Sequence, residues 1–295
     1  MELQQLRTFQ MVAQTLSFTR TAALLNYAQS TVTAHIRELE KELGKPLFNR
    51  LGRQVQLTDA GKQLLWYADK LLNLAGEAQA SMANDRQLVG AISIGAPETI
   101  CTYRLPIVLR EFRQRHPQVQ VSFRPMLDAD LYQHVRSGAL DVAFLLQEPL
   151  QSNGLIVDRL REERLLVLSA ADHRLSQFEQ VGPDDVKGET IFLTESGCGY
   201  RHLFERTLSR EGIFAINKLE LNSVEVIKRC VIAGLGLAFL PEVSVAEEID
   251  RGELCSLKWT NAFRVYTQLV WHADTWMSPP LSQFLNLCQT MLGAK

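Results

Sequence analysis

Several features that would decide the class of this protein are missing from its 295 residues. No apolar run approaches the roughly 20 residues that a membrane-spanning helix needs. The opening MELQQLRTFQ has no basic stretch followed by an apolar core, so no secretory signal is expected. A net charge of −2 and a hydrophobic content of 46% are ordinary for a globular protein. The length predicts two or three domains rather than one core.

Cysteine patterns and catalytic signatures are also absent. The five cysteines form no Cys-x-x-Cys pair and have no zinc-ligand spacing with the six histidines. A reducing cytoplasm without disulfides, metal or cofactor is the simplest setting. The sequence contains no G-x-S-x-G, H-E-x-x-H, phosphate-loop or G-x-G-x-x-G motif. No histidine has a sequence-level partner that suggests general-base chemistry, so an enzyme is not expected.

The strongest positive pattern is a pair of short helices near the start. Phe18, Ala22 and Leu25, spaced four and three apart, predict the first helix, with Ser17 as its N-cap. After a three-residue break, a second stripe predicts a longer helix that ends at a glycine followed by a proline. Its members are Val32, Ile36, Leu39 and Leu43, and the ending residues are Gly44 and Pro46.

Polar side chains lie outside that stripe, mostly near the N-terminal end of the second helix. A recognition helix contacts base edges mainly with its N-terminal residues. Glutamine can pair with adenine, arginine with guanine, and serine or threonine with either base or phosphate. The alternative is a helical hairpin in an ordinary core, with a polar face that is merely solvated. The predicted DNA-binding residues of this helix are Gln29, Ser30, Thr31, Thr33, His35 and Arg37.

A wing is predicted directly after the second helix. Val55 and Leu57 alternate with polar residues as in a short strand, and Arg50 and Arg53 make the preceding turn basic. Such a hairpin can touch phosphates or the minor groove, so both arginines join the predicted DNA-binding residues. Residues 1–62 hold eight Lys/Arg and five Asp/Glu, a net of +3 on a mildly acidic chain. This location of positive charge supports nucleic-acid contact.

A further apolar stripe follows the wing at the period of a coiled-coil seam, about 3.5 residues. No proline occurs between positions 47 and 96, so one long helix is predicted from Asp59 to about Asn84, capped by Thr58-Asp59. We expect dimerisation through this helix. The alternative is a long helix packed on its own domain. The seam comprises Leu64, Ala68, Leu71, Ala75, Ala78 and Met82.

From residue 89 onward, strand-like and helix-like segments alternate, which predicts parallel sheets with helices on both faces. Ligands bind such sheets beyond the carboxyl ends of strands, near helix N-termini. Two strand-to-helix turns qualify, 95–102 and 194–201, although their hydroxyls can instead simply cap helices. The predicted effector-binding residues are Pro97, Thr99, Thr102, Gln147, Thr194, Ser196, Gly197 and Cys198.

The charge of the ligand stays open at this point. Glu98 and Glu195 lie in the two turns and would repel an anion, whereas Arg104 and Arg201 would attract one. We expect a small polar or anionic metabolite, and an amino acid, a carboxylic acid or an aromatic acid would each fit.

Four segments of the chain resemble the LysR-type transcriptional regulators: Leu6–Asn26, Ala28–Gly44, Leu47–Leu65 and Ala233–Pro241. The resemblance extends over essentially the whole length. One departure lies at the start of the predicted recognition helix. Family members often carry Ser-Gln-Pro or Ser-Gln-Ser there, and this chain has Ala-Gln-Ser, so one hydroxyl is missing.

The resemblance implies an N-terminal all-α winged helix-turn-helix over 1–62, a linker and dimerisation helix over 63–88, and a C-terminal α/β two-lobed periplasmic-binding-protein-like effector domain over 89–295. It implies a homodimer or homotetramer on a pseudo-palindromic double-stranded DNA operator, with RNA polymerase as a further partner. Effector binding would shift the lobes and alter the DNA bend. The expected lobes are 89–161 with 266–295, and 162–265.

The main alternative is a thiol-based redox sensor. Cys198 lies in a glycine-rich turn beside Arg201, which can lower a thiol pKa. The peroxide-sensing branch of the same family carries a reactive cysteine in this general region. That branch has a partner cysteine about ten residues further on, whereas here the next is Cys230. A small turn residue beside the ligand is the simpler interpretation. An enzyme on the same two-lobed fold is a weaker alternative.

Overall fold

A computed structural model describes residues 1–51, 54–82, 88–150, 152–213, 217–260 and 263–293. The chain divides into an N-terminal unit, Met1–Gly90, and a C-terminal unit, Ala91–Lys295. Among the described residues, no helix is both long enough and apolar enough to cross a membrane.

The described part of the N-terminal unit contains four helices and one hairpin, and its first helix, α1, precedes the elements that the sequence predicts. Ser17 Oγ accepts a hydrogen bond from Arg20 N at 3.2 Å and caps the second helix, as predicted. Gly44, at φ 68°, ends the third. The elements are α1 Leu3–Thr15, α2 Phe18–Leu25, α3 Gln29–Leu43, β1 Phe48–Leu51, β2 Gln54–Leu57 and α4 Asp59–Met82. The predicted helix pair, the two strands of the wing and the long helix are confirmed.

One apolar core holds these elements together. The rings of Phe9 and Phe18 both pack against Phe48 of the hairpin, with centroids 5.4 and 5.8 Å apart. Leu64 and Ala68 of α4 are buried in the same core. The predicted coiled-coil seam is therefore wrong at its first two positions, because those side chains pack within their own unit.

The start of α4 depends on a close backbone approach. Thr58 Oγ1 accepts a hydrogen bond from Gly61 N at 2.9 Å and donates to Pro46 O at 2.7 Å. A Cβ atom at Gly61 would lie 2.2 Å from Leu47 O, a distance that no side chain tolerates. Glycine is therefore required at position 61, whereas a Cβ atom added at Gly76, further along α4, would meet nothing within 4 Å.

The C-terminal unit is built on nine strands with seven α-helices in its described part. After the first strand of this unit, one helix ends at Tyr103 and the next begins at Leu105, with Arg104 between them. The strands are β3 Gly90–Ala96, β4 Val119–Pro125, β5 Val142–Gln147, β6 Leu155–Ala170, β7 Thr190–Leu193, β8 Asn217–Glu220, β9 Leu237–Pro241, β10 Leu254–Ser256 and β11 Arg264–His272. The helices are α5 Glu98–Tyr103, α6 Leu105–Arg115, α7 Asp128–Arg136, α8 Gly199–Arg210, α9 Val224–Ile232, α10 Ala246–Asp250 and α11 Pro279–Leu292.

The sheet is mixed, which corrects the expectation of parallel sheets. Its order is β4-β3-β5-β11-β6-β9-β7-β8, with β10 also paired to β6. The pairs β3–β5, β7–β8 and β7–β9 are parallel, but β11 runs antiparallel to both β5 and β6. The sequence alternation identifies strands and helices but not the direction of each strand, which depends on pairings distant in sequence.

Strand β6 divides this sheet into two parts. Residues 155–164 pair with β11, and Leu165–Leu168 pair with β9. We call the strands β3, β4, β5 and β11 the first subsheet, and β7, β8, β9 and β10 the second subsheet. Each has its own core, one around α7 and β5 and one around α9 and β9.

Two alanine substitutions in α4 should change stability in opposite directions. We expect Gly61→Ala to lower the free energy of unfolding by about 1–3 kcal/mol, because the added methyl group overpacks against Leu47. Gly76→Ala is the matched control and should raise it by about 0.5–1 kcal/mol, because alanine replaces glycine inside a helix without a clash. Urea denaturation measures both, and equal effects would contradict this account of Gly61.

Candidate nucleic-acid interface and ligand site

The N-terminal half of α3 presents polar side chains to solvent. Gln29, Ser30, Thr31 and Arg37 are exposed, while the apolar stripe of the helix faces the core. The N-cap residue Ala28 makes no side-chain hydrogen bond to the helix. The positive end of the helix dipole is thus left without a side-chain cap, a condition that favours contact with a phosphate group.

The two other predicted DNA-binding residues of α3 have partners inside the unit. Thr33 Oγ1 donates to Gln29 O at 2.9 Å. His35 Nδ1 lies 2.9 Å from the hydroxyl of Thr8, and its ring packs edge-on against Tyr27. Since Thr8 also donates to a helix carbonyl, this network assigns the proton to His35 Nδ1 and leaves Nε2 as an acceptor.

Only part of the basic turn of the wing lies within the described residues. Arg50 lies in β1, opposite Val55, but its side chain and the whole of Arg53 lie outside the described residues. Their predicted phosphate contacts stay predictions.

The two predicted ligand-binding turns approach each other around Tyr200. This tyrosine is almost fully buried. Burial raises its pKa well above the usual value, and the hydroxyls of Thr194 and Thr99, one from each turn, oppose that rise. Cys198 is buried beside them. Three of the predicted residues, which come from different subsheets, therefore share one environment.

A second contact between the subsheets lies next to this tyrosine. Asp128, the first residue of α7, is 4% exposed, and its Oδ2 accepts a hydrogen bond from Gly199 N at 2.7 Å. A Cβ at Gly199 would lie 2.6 Å from Gln147 Cβ. The Gln147 side chain donates to the hydroxyl of Tyr132. We call Thr99, Asp128, Gln147, Thr194, Cys198 and Tyr200 the junction site.

The remaining predicted residues lie around this site with other roles. Pro97 is buried and precedes α5, accepting a helical hydrogen bond from Cys101 N. Gly197, at φ 104°, contributes backbone that L-residues rarely adopt. The side chains of Thr102 and Ser196 are exposed.

Asp128 and Tyr200 are the residues that sequence reasoning missed. Each had a signal: an acidic residue begins the helix after β4, and an aromatic ring sits inside the predicted turn 194–201. Neither signal distinguishes a helix cap or core residue from a ligand contact. Only the packing of the two subsheets brings Asp128 against Gly199 and Tyr200 against the hydroxyls of both turns.

Arg104, Arg201 and Glu98 already have hydrogen-bond partners within the domain. Arg104 makes two hydrogen bonds to Glu163, at 3.1 and 2.7 Å. Arg201 donates to Thr194 O and to Glu220, both at 2.5 Å. Glu98 accepts from Val224 N, at the start of α9. The arginines that were expected to attract an anion therefore have carboxylate partners of their own.

The expected activation of Cys198 by Arg201 is corrected by this arrangement. Burial raises the pKa of the thiol to about 11, and the nearby carboxylate of Asp128 adds to that rise. Relative to its ordinary value of 9.0, about a hundredfold less thiolate is present at neutral pH. The guanidinium of Arg201 is occupied by its own acceptors instead.

These features define a class of protein: a winged helix-turn-helix with an exposed polar recognition helix, on one chain with a two-part α/β unit that carries a buried polar site. The model described as "Bacterial regulatory helix-turn-helix protein, lysR family" matches residues 3–62, and "LysR substrate binding domain" matches residues 85–293. The chain belongs to the LysR family of DNA-binding transcriptional regulators, as its motifs predicted.

The chain is similar to known proteins over nearly its full length. The HTH-type transcriptional regulator YwqM of Bacillus subtilis is 44% identical over 288 residues, covering 97% of this chain and 98% of its own. A full-length OxyR variant of Pseudomonas aeruginosa has a similar fold, with a TM-score of 0.72, 24% identity and coverage of 99% and 94%. CbnR in complex with its target DNA has a TM-score of 0.70, 22% identity and coverage of 99% and 100%.

The five cysteines should differ in reactivity according to their burial. We expect iodoacetamide at pH 7.5 to modify half-buried Cys230 and Cys255 before buried Cys198 and Cys288. Peptide mass spectrometry over a time course measures the order, and unfolding in urea should abolish it. Modification or peroxide oxidation of Cys198 ahead of the other four would contradict the raised thiol pKa and support a redox sensor.

Proposed function

We propose that this regulator binds a small-molecule effector at the junction site and that occupancy changes its affinity for operator DNA. The observation that carries this proposal is the convergence of Thr99, Thr194 and Asp128 on Tyr200 and Gly199 from two subsheets with separate cores. A ligand held there contacts both subsheets at once. Its binding energy can therefore favour one relative arrangement of the two over another.

A network of three polar contacts links helices on the two sides of the proposed division. The hydroxyl of Tyr103 donates to Glu225 at 2.6 Å. Glu225 in turn accepts from buried Lys228, which also pairs with Glu248 at 2.9 Å. This network joins α5 to α9 and α10.

We propose that the effector domain has two lobes that divide at β6, in the positions expected from the sequence.

The operator is read by α3, on this proposal, with the wing on the flanking backbone. Gln29 and Arg37 are exposed and have side chains that match adenine and guanine edges. Ser30, Thr31 and Thr33 can contact bases or phosphates, and His35 can use Nε2. Arg50 and Arg53 supply charge to the wing.

Dimerisation through α4 is the third part of the proposal, with a second copy of this chain as the occupant of its exposed face. One face of α4 packs in the N-terminal unit. Tyr67, Leu71 and Leu74, at helical spacings of four and three, are 49%, 37% and 49% exposed. A dimer with two recognition helices binds both half-sites of a pseudo-palindromic operator, which multiplies both affinity and specificity. A tetramer and contact with RNA polymerase would extend this assembly.

Redox sensing by Cys198 is the less favoured alternative. The buried thiol with its raised pKa is poorly suited to react with peroxide. The structural similarity to OxyR, at 24% identity, concerns the fold alone.

Removing the Gln29 side chain should relax base preference more than it weakens total binding. We expect Gln29→Ala to lose about tenfold to hundredfold affinity on a selected operator, since a bidentate base contact contributes about 1–3 kcal/mol. It should lose little on the same fragment with scrambled half-sites. Gel shifts at fixed salt measure both.

Ser17→Ala serves as the control for helix stability, because Ser17 caps α2 and lies outside α3. Equal loss for Gln29→Ala on selected and scrambled fragments would refute a base-reading role.

A charge on the exposed face of α4 should weaken the dimer. We expect Leu71→Glu combined with Leu74→Glu to raise the dimer dissociation constant by at least a hundredfold, because each carboxylate would be desolvated against apolar residues of the partner copy. Gln63→Glu, an exposed position at the start of α4, adds the same charge elsewhere and should have no effect. Analytical ultracentrifugation measures both, and an unchanged dimer in the double variant would contradict the proposed interface.

A further inference from the structure

Among the described residues, two buried side-chain oxygens of the junction site make no hydrogen bond, Thr194 Oγ1 and Asp128 Oδ1, and the second belongs to an ionisable group. Asp128 Oδ2 is satisfied by Gly199 N, but Oδ1 is buried and makes no hydrogen bond to any residue in the described part of the chain. A carboxylate oxygen left in this condition costs free energy, because water no longer solvates it and nothing replaces the water. A ligand that donates a hydrogen bond to Oδ1 would remove that cost.

No cationic side chain is hydrogen-bonded to Asp128 in the described part of the chain, and the positive charge near it is the partial charge of the N-termini of α7 and α8. On α8, Arg201 is directed to Thr194 O, Glu205 and Glu220. The nearest titratable neighbours are the thiol of Cys198 and the phenol of Tyr132. Burial raises their pKa values to about 11 and about 12, so both are neutral at physiological pH. The carboxylate thus faces uncharged side chains and the backbone amides of Gly199 and Leu146.

The other cations of the predicted turns are also unavailable to an anionic ligand. Arg104 forms a bidentate pair with Glu163. Glu163 Oε1 also accepts a hydrogen bond from the hydroxyl of Thr267 at 2.9 Å. Breaking this pair to bind a ligand would remove the bidentate partner of a buried carboxylate and leave it only Thr267 and the longer contact to Arg161 Nε at 3.4 Å. A carboxylate or phosphate ligand would therefore meet Asp128 without a free guanidinium to offset the repulsion.

We infer that the effector carries a protonated amine, which Asp128 Oδ1 binds as a hydrogen-bonded ion pair at the N-terminus of α8. This inference rests on the proposed function of the junction site and narrows the small polar or anionic metabolite expected from the sequence to an amine or an amino compound.

Proton linkage supports this assignment. Burial raises the pKa of Asp128 to about 7, and the amides of Gly199 and Leu146 pull it back only in part. A bound ammonium group favours the ionised carboxylate, so it lowers the pKa of Asp128. Amine binding should accordingly weaken as the pH falls through 7 and release a proton near neutrality.

One backbone resonance reports directly on this contact. Cys198-Gly199 is the only Cys-Gly pair in the sequence. Labelling cysteine carbonyls with ¹³C and glycine amides with ¹⁵N therefore gives a single HNCO signal from the amide that donates to Asp128. The measurement uses the full deuterated chain. The probes are ethylammonium and its matched carboxylate, propionate.

We expect ethylammonium to shift the Gly199 signal saturably at millimolar concentration, and propionate to leave it unchanged at tenfold higher concentration. In Asp128→Asn the ethylammonium affinity should fall at least tenfold. Asp130→Asn removes an exposed carboxylate from the same turn of α7 and should behave as the wild type. In the wild type, the pH midpoint of the Gly199 signal should move down when ethylammonium is present.

The last measurement needs no variant, so it tests the proposal even where Asp128→Asn does not fold. A saturable shift with propionate, no shift with either probe, or an unchanged pH midpoint would each overturn the inference. Operator gel shifts keep the two levels apart. If ethylammonium shifts the Gly199 signal but does not change operator affinity in gel shifts, effector control at this site is refuted, whereas the amine-binding site is supported.

Discussion

The close approach of α8 to the end of β5 is the constraint on which the junction site, the proposed ligand site, depends. Only a glycine fits at position 199, because a Cβ there would lie 2.6 Å from Gln147 Cβ and 3.0 Å from Asp128 Oδ2. The missing side chain lets the first amide of α8 reach a carboxylate that belongs to the other subsheet. Tyr200, the next residue, is thereby carried into the interior, where hydroxyls from both turns surround it.

Charge is distributed in this domain so that the site keeps one carboxylate without a cationic partner. Arg104 and Arg201 are held by Glu163 and Glu220, while Asp128 has only backbone amides, those of Gly199 and Leu146. Paired ions of this kind fix the orientation of the elements that carry them more than they add stability. The unpaired carboxylate instead carries an uncompensated desolvation cost, which a proposed ligand with a complementary donor would remove.

The apolar residues of the long helix α4 lie in two different environments, one buried and one exposed. Leu64 and Ala68 complete the core of the reader, whereas Tyr67, Leu71 and Leu74 remain exposed on the next face. Heptad spacing in the sequence identifies an apolar helix but does not say which residues a helix buries within its own domain. The contact with the hairpin, enforced by Gly61 against Leu47, makes that choice.

Local sequence determined the helix pair, the wing strands and the family, because caps, breaks and apolar spacing act within a few residues: Ser17 and Gly44 bound their helices as predicted. Tertiary structure decided the rest. Strand direction in the sheet, the partners of the arginines and the burial of Asp128 depend on contacts between residues far apart in the chain. A single sequence records the residues that make such contacts, but the physical reason for each pairing is packing, which exists only once the chain has folded.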